Sequence, residues 1–203
     1  MAVLATDNGS LTGNPINDCY GSITQAAGTA IVRVLPPRLG LRTCLGNFRY
    51  VTGTTAHIFT PMVVLDTVGV GSTDVAVGAT TVTLTRNPTA PDGTIIAAGD
   101  YVVMQYADGS WNSFLISGLS GLVITIPATT QLIRANSAVF YFGAPADHAS
   151  RNWTMPASTT YDFSAGDFRI RGATSAMNNQ PILIVVNNIT NAGTLHHTAY
   201  YFD

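Results

Sequence analysis

From residue 31 onward, apolar and polar residues alternate with a period of two along much of this chain. That spacing puts every second side chain on one face of a β-strand. Residues 31–35 (IVRVL) alternate until Pro36 and Pro37 stop them. In residues 47–52 (NFRYVT), Phe48 and Tyr50 fall on one face and Arg49 on the other. Residues 55–60 (TAHIFT) and 61–66 (PMVVLD) follow. Pro61 has no N–H to give a ladder, so it suits a strand start or a sheet edge. Residues 80–85 (TTVTLT) form a clean strand pattern with Val82 and Leu84 inward. Residues 95–117 read as two strands joined at Asp108-Gly109, a pair that favours positive φ and a tight hairpin. Residues 122–127 (LVITIP) and 137–143 (SAVFYFG) are further strands. Residues 152–155, 161–163, 167–171, 181–187 and 197–202 repeat the pattern, with a turn at 187–193 between the last two. Strands every 8–12 residues, separated by Gly, Pro and Asn turns, predict an all-β sandwich or barrel. No 3.6-residue periodicity predicts a helix.

Three regions follow from this pattern. Residues 1–30 are rich in Gly, Asn, Thr and Ser and lack a period, so they read as an extended arm. Residues 31–65 and 144–203 read as the main β-sandwich, and 66–143 as a β-rich subdomain with its own turn grammar. Deleting residues 2–30 is therefore expected to weaken assembly more than folding. Ala-Gly-Asp followed by an aromatic precedes a strand at 98–101 and again at 165–168. This is turn chemistry, with Gly bending the chain and Asp capping backbone N–H groups.

Composition narrows the function. The net charge is −2, and charged residues make up 10% of 203, against roughly 25% in a typical soluble domain. All nine cations are Arg and all eleven anions are Asp; there is no Lys and no Glu. Without Lys there is no P-loop lysine and no Schiff-base lysine, and without Glu no His-Glu-x-x-His zinc site. The loss of two strong helix formers in favour of 27 Thr and 19 Gly agrees with the strand pattern. Only the stretch from Arg33 to Arg49 holds four arginines in close succession (Arg33, Arg38, Arg42 and Arg49), so no basic stripe predicts nucleic-acid binding. The N-terminus lacks a basic segment and an apolar core, and is not read as a signal peptide. The longest aliphatic run, residues 182–186, falls far short of the roughly 20 residues that span a bilayer.

The residue types that carry chemistry are sparse. His57 reads as a polar strand-face or interface residue. His196 and His197 are adjacent, so on a strand they point to opposite faces and cannot share an ion. His148 completes the set, and the ligand spacing of a zinc site is missing. Asp100, Asp108, Asp147, Asp162 and Asp167 sit beside Gly or at strand edges, as turn caps do. Cys19 and Cys44 read as two reduced, partly buried thiols, although one disulfide is conceivable. Asn8, Asn152 and Asn188 begin sequons that read as chance without a secretion signal. Trp111, Trp153 and the 200–202 tail (Tyr200, Tyr201, Phe202) read as core or interface anchors, with a glycan platform as the alternative. No catalytic residue, cofactor or metal is expected.

Taken together, residues 38–70, 75–88, 95–126 and 137–143 resemble the small β-rich virion proteins of tailed bacteriophages, head decoration or cement proteins above all. The carrying elements are Tyr-x-x-Gly-Thr-x-Ala-His at 50–57, Ala-Gly-Asp-Tyr at 98–101, Asp-Gly at 108–109, and the ending at 181–201. These motifs are structural turns, not catalytic signatures. The resemblance implies a jelly-roll or barrel-like fold, a trimer, the major capsid protein as partner, and a place in the virion after synthesis in the bacterial cytoplasm. A receptor- or glycan-binding module of a head or tail fibre is the alternative it leaves. A small hydrolase using Asp and His is the third reading.

Overall fold

The computed structural model describes residues 19–25, 30–163, 175–187 and 193–202. Four strands come first: β1 (Cys19–Gln25), β2 (Ile31–Leu35), β3 (Arg42–Val51) and β4 (His57–Val63). Seven follow: β5 (Asp66–Gly69), β6 (Thr81–Thr83), β7 (Tyr101–Gln105), β8 (Trp111–Leu115), β9 (Gly118–Ser120), β10 (Val123–Thr125) and β11 (Ala138–Phe142). A 3-10 stretch, Pro145–Arg151, leads to the last four: β12 (Trp153–Met155), β13 (Thr160–Phe163), β14 (Ile182–Asn187) and β15 (Gly193–Phe202). The described residues contain no α-helix. The protein is all-β, and every strand pair is antiparallel. Compactness divides the chain into Met1–Val63 with His148–Asp203, and Val64–Asp147.

The first unit has eight strands in two four-stranded sheets, ordered β1-β15-β3-β13 and β12-β4-β14-β2. Counted within the unit, these are strands 1-8-3-6 and 5-4-7-2. Two Greek keys wound in this way make a jelly roll. The second unit lies in the chain between the fourth and fifth strands of that roll.

Leu45 and Tyr50 of one sheet meet Ile31, Leu35, Phe59, Met155, Ile182, Ile184 and Val186 of the other in a single buried core. Leu45 and Tyr50 differ in parity, which a regular strand forbids on one face. The register explains it: β15 advances two residues from His197 to Ala199 while β3 advances three, from Leu45 to Phe48. One extra residue in β3 makes a β-bulge and turns the next inward position over. Arg49 stays outside and Tyr50 inside, as the alternation predicts.

Two features depart from the sequence reading, and two more of its segments fall outside the described residues. Cys19–Gln25, expected within the arm, is a strand paired along its length with β15. Its polar composition hides it, because pairing with a sheet edge needs backbone groups more than an apolar face. The alternation divides residues 55–66 into two strands at Pro61, but β4 runs through Pro61. The proline is tolerated because β12 covers only His57, Ile58 and Phe59, so β4 has no second neighbour at Pro61. Residues 167–171, expected to be a strand, lie outside the described residues, as do residues 1–18 of the arm.

The second unit pairs a four-stranded sheet, β5-β11-β7-β8, with a three-stranded one, β6-β10-β9. Val82, Leu84 and Ile124 from one side meet Val102, Met104, Phe114, Val139 and Tyr141 from the other. The β7–β8 hairpin closes through Tyr106 N to Ser110 O (2.8 Å) and Gly109 N to Tyr106 O (3.0 Å). Only Gly109 takes positive φ, at 90°. Asp108 instead accepts bonds from the Ser110 N–H (2.9 Å) and hydroxyl (2.6 Å). The Asp-Gly signal thus encodes a three-residue loop with a glycine bulge, not a two-residue turn.

Candidate functional site

A buried imidazole, His57, lies inside the jelly roll. It opens β4 and is fully buried on the inner face of that strand, not on a polar face as its sequence context suggested. Its Nδ1 is 2.7 Å from the hydroxyl of Tyr50, which stands on β3 in the other sheet. The rings are 5.5 Å apart and tilted. The bond therefore ties the two sheets together across the core. Nε2 is buried without a hydrogen-bond partner. Charging the ring would bury a cation away from water, so burial holds the imidazole pKa below its ordinary 6.5. Burial also pushes the Tyr50 hydroxyl up to about 12. Both groups are neutral near pH 7, and neither has the poise of a general base.

This pair sets a pH dependence. An unfolded chain takes up the His57 proton near 6.5, whereas the folded chain takes it up only at lower pH. Stability is complete above 6.5 and falls as the pH drops through that value toward the folded pKa, with a limiting slope of about 1.4 kcal/mol per pH unit. Denaturant melts of His57→Phe are expected to show a flatter profile as the pH falls below about 6.5. The same variant is expected to lose about 1–3 kcal/mol at pH 7.5, because the buried Tyr50 hydroxyl loses its bond to His57. A wild-type profile flat through this window would contradict the assignment.

The carboxylates are engaged with backbone. Asp100 is buried after the Gly99 turn (φ 97°) and accepts from Ala97 N (2.7 Å), Ala144 N (2.7 Å) and the Tyr141 hydroxyl (3.0 Å). Burial, with the Asp100 charge added, drives the Tyr141 hydroxyl pKa far up. Asp66 takes both arms of Arg86 (2.5 and 2.7 Å) and the N–H groups of Thr67 and Thr89. That Arg86 bond holds its carboxyl below the usual range. Asp92 accepts from Thr94 N. Asp147 is exposed, and the side chains of Asp162 and Asp167 lie outside the described residues. The turn-cap reading thus fits Asp100 and Asp108, and the same use extends to Asp66 and Asp92.

The remaining residues singled out in the sequence are dispersed. His148 is buried in the 3-10 stretch, while His196 and His197 lie in β15 opposite Arg49 and Phe48. Among the described residues, no three His, Cys or Asp side chains stand together as metal ligands. Trp153 stacks on Phe59 at 5.4 Å and packs on the jelly-roll core. Trp111 tilts against Phe140 at 5.8 Å. Neither indole is fully exposed. The strands carrying Cys19 and Cys44 are separated by β15, Cys19 facing Ala199 and Cys44 facing Tyr200. Two strand spacings set their Cα atoms about 10 Å apart, beyond the roughly 7 Å limit for a disulfide. Asn152 accepts the Thr60 hydroxyl at 2.5 Å, so this sequon asparagine serves the fold.

No family model matches this chain, and no curated protein does. Among solved structures, VP17, a capsid protein of bacteriophage P23-77, matches over 90% of this chain and 97% of its own, at 10% identity and a TM-score of 0.24. The VP16-VP17 complex of the two major capsid proteins of the same phage matches at 9% identity, covering 90% and 98%, with a TM-score of 0.22. The infectious bursal disease virus VP2 subviral particle matches at 13% identity, covering 99% of this chain and 45% of its own, with a TM-score of 0.14. At such scores the fold assignment rests on the strand order itself.

Proposed function

We propose that this chain is a structural virion protein, a decoration or cement subunit that binds a bacteriophage capsid and stabilises it without catalysis. The observation that carries this reading is the jelly roll with a second β unit inserted between its fourth and fifth strands. Jelly rolls serve viral shells, lectins and cupins. A lectin would present free aromatic faces, whereas half-buried Trp153 stacks on Phe59 and half-buried Trp111 tilts against Phe140. A cupin or hydrolase would hold its imidazoles and carboxylates ready for a ligand. Here His57 and Asp100 are committed to Tyr50 and to backbone N–H groups.

Composition supports the same reading. Interface cores are depleted in charge, and short side chains lose less entropy when covered. A chain with 10% charged residues and no Lys or Glu can give much of its surface to neighbours. The partner is the major capsid protein, the protein acts as a homo-oligomer, a trimer in this reading, and it resides in the virion. No helix among the described residues is long and apolar enough to cross a membrane.

The experiment compares particles with and without this protein. Particles lacking it are expected to release their genome at lower temperature or on milder chelation, and adding purified protein should restore resistance. Equal resistance of both particles would end the cement reading. Binding to a glycan array that is lost in Trp111→Ala would favour the lectin reading instead.

A further inference from the structure

The ionisable side chains are divided unevenly between the two units. All four histidines, His57, His148, His196 and His197, belong to the first, and residues 64–147 contain none. The first unit has seven Arg and five Asp, a side-chain charge of +2, and the second has two Arg and six Asp, a charge of −4. Free imidazoles take up protons near about pH 6.5 and free carboxyls near about 4, so mild acid charges only the jelly roll. Protonating all four imidazoles takes it from +2 to +6, and that self-repulsion opposes the compact state.

One of these imidazoles is built into the core. His57 of β4 meets Tyr50 of the opposite sheet at 2.7 Å, so its ring bridges the two sheets. Its surroundings hold no charge. Tyr50 faces it from β3, Met155 stands opposite it in β12, and Tyr161 of β13 pairs with Tyr50 and packs on the same core. On β14, Asn187 stands opposite the neighbouring Ile58. In the connection before β4, the Thr52 hydroxyl is turned to Pro156 O and Thr159 O (2.8 and 3.0 Å). Arg49 lies exposed on the outer face of β3, with Asp162 and His196 opposite it in the register. Among the described residues the one buried carboxylate is Asp100, which belongs to the second unit. A proton on His57 therefore finds no counter-charge in the jelly-roll core, and the sheets must exclude it or part.

The second unit resists the same acid. Asp66 is held by the Arg86 guanidinium, Asp74 and Asp92 by the N–H groups of Ala135 and Thr94, and Asp108 by Ser110. These hydrogen bonds keep all four carboxyls below their ordinary 3.8. A carboxyl held low contributes stability that is complete above 3.8 and is lost only as the pH falls through its folded value. Mild acid leaves that contribution in place.

We propose that acid opens this chain one unit at a time: between about pH 6 and 4 the jelly-roll sheets part at the His57–Tyr50 tie while the inserted unit keeps its fold. The fold thus contains an acid-sensitive latch in one unit and a rigid insert in the other. The proposal goes beyond the capsid reading, needs no partner, and stands or falls on the purified chain.

Hydrogen exchange of the full-length protein at pH 7.5 and 5.0, corrected for the intrinsic rate at each pH, tests it. Each pH unit shifts the opening equilibrium up to about tenfold per titrating group, so protection in β4 and β14 is expected to fall at least about tenfold at pH 5.0. Protection in β7 and β11 is expected to change by less than about twofold. His57→Gln keeps a hydrogen-bonding group and never charges, and it is expected to lose the acid response of β4 and β14. His57→Phe carries the same expectation, should the glutamine variant fail to fold. Undiminished protection of β4 and β14 at pH 5.0 in wild type would overturn the proposal. So would an equal loss in both units, or an acid response that persists in the His57 variants.

Discussion

A chain lacking residues 2–30 is expected to lose its cooperative thermal transition, because the deletion takes β1 out of the jelly roll. β1 pairs over seven residues with β15, from Cys19 opposite Ala199 to Gln25 opposite Gly193. Losing those ladder bonds, at about 0.5–1.5 kcal/mol net each, removes several kcal/mol. That is comparable with the whole stability of a domain, about 5–15 kcal/mol. It also bares the backbone of β15 as an open edge ready for unspecific pairing. A deletion of residues 2–17 leaves β1 whole and is expected to shift the melting midpoint by less than about 5 °C. Calorimetry of the two truncations side by side decides the matter. If both melt like the full chain, β1 contributes nothing and its pairing is wrong. The expectation that the arm serves assembly then belongs to the shorter truncation, read as capsid binding.

Most individual strands can be read from the sequence, because alternation is local. Val82 and Leu84 in TTVTLT, and Phe114 in its hairpin, declare an inward face by spacing alone. The sheet order cannot be read that way. β3 finds its partners β15 and β13 more than a hundred residues downstream, and nothing in NFRYVT names them. The resemblance to phage virion proteins, not the periodicity, supplied the jelly-roll expectation. Parity failed where a bulge intervened, as between Leu45 and Tyr50. β1 failed because its pairing is a backbone matter that polar residues serve as well as apolar ones.

The polar site residues were legible to the degree that their chemistry is local. Asp108 and Asp100 were recognisable as caps because each follows or precedes a glycine whose φ the turn requires. His57 was not, because its partner Tyr50 is in the opposite sheet. TAHIF alone gives no hint that the imidazole faces inward.

The largest single-residue effect is expected at Asp100. Its carboxylate gathers three donors from three places: Ala97 in the turn before β7, Tyr141 in β11, and Ala144 beyond it. Its own backbone carbonyl accepts from Ile116 N at 2.8 Å, so the residue also fastens the segment after β8. Hydrogen bonds to a charged acceptor contribute about 1.5–3 kcal/mol each, and donors left unsatisfied in the interior add a desolvation cost. Asp100→Ala is therefore expected to cost about 3–5 kcal/mol, since it strands all three donors at once. Asp100→Asn keeps the shape but turns an NH₂ toward groups that also donate, so it should recover only part of that loss. Tyr141→Phe removes one donor and leaves the carboxylate two backbone partners, and its cost should stay near the low end of that range, about 1.5 kcal/mol. Urea melts of the three variants give the order. If Asp100→Ala proved no worse than Tyr141→Phe, the carboxylate would be a bystander to its turn, and the cap reading of the Ala-Gly-Asp motif would fail with it.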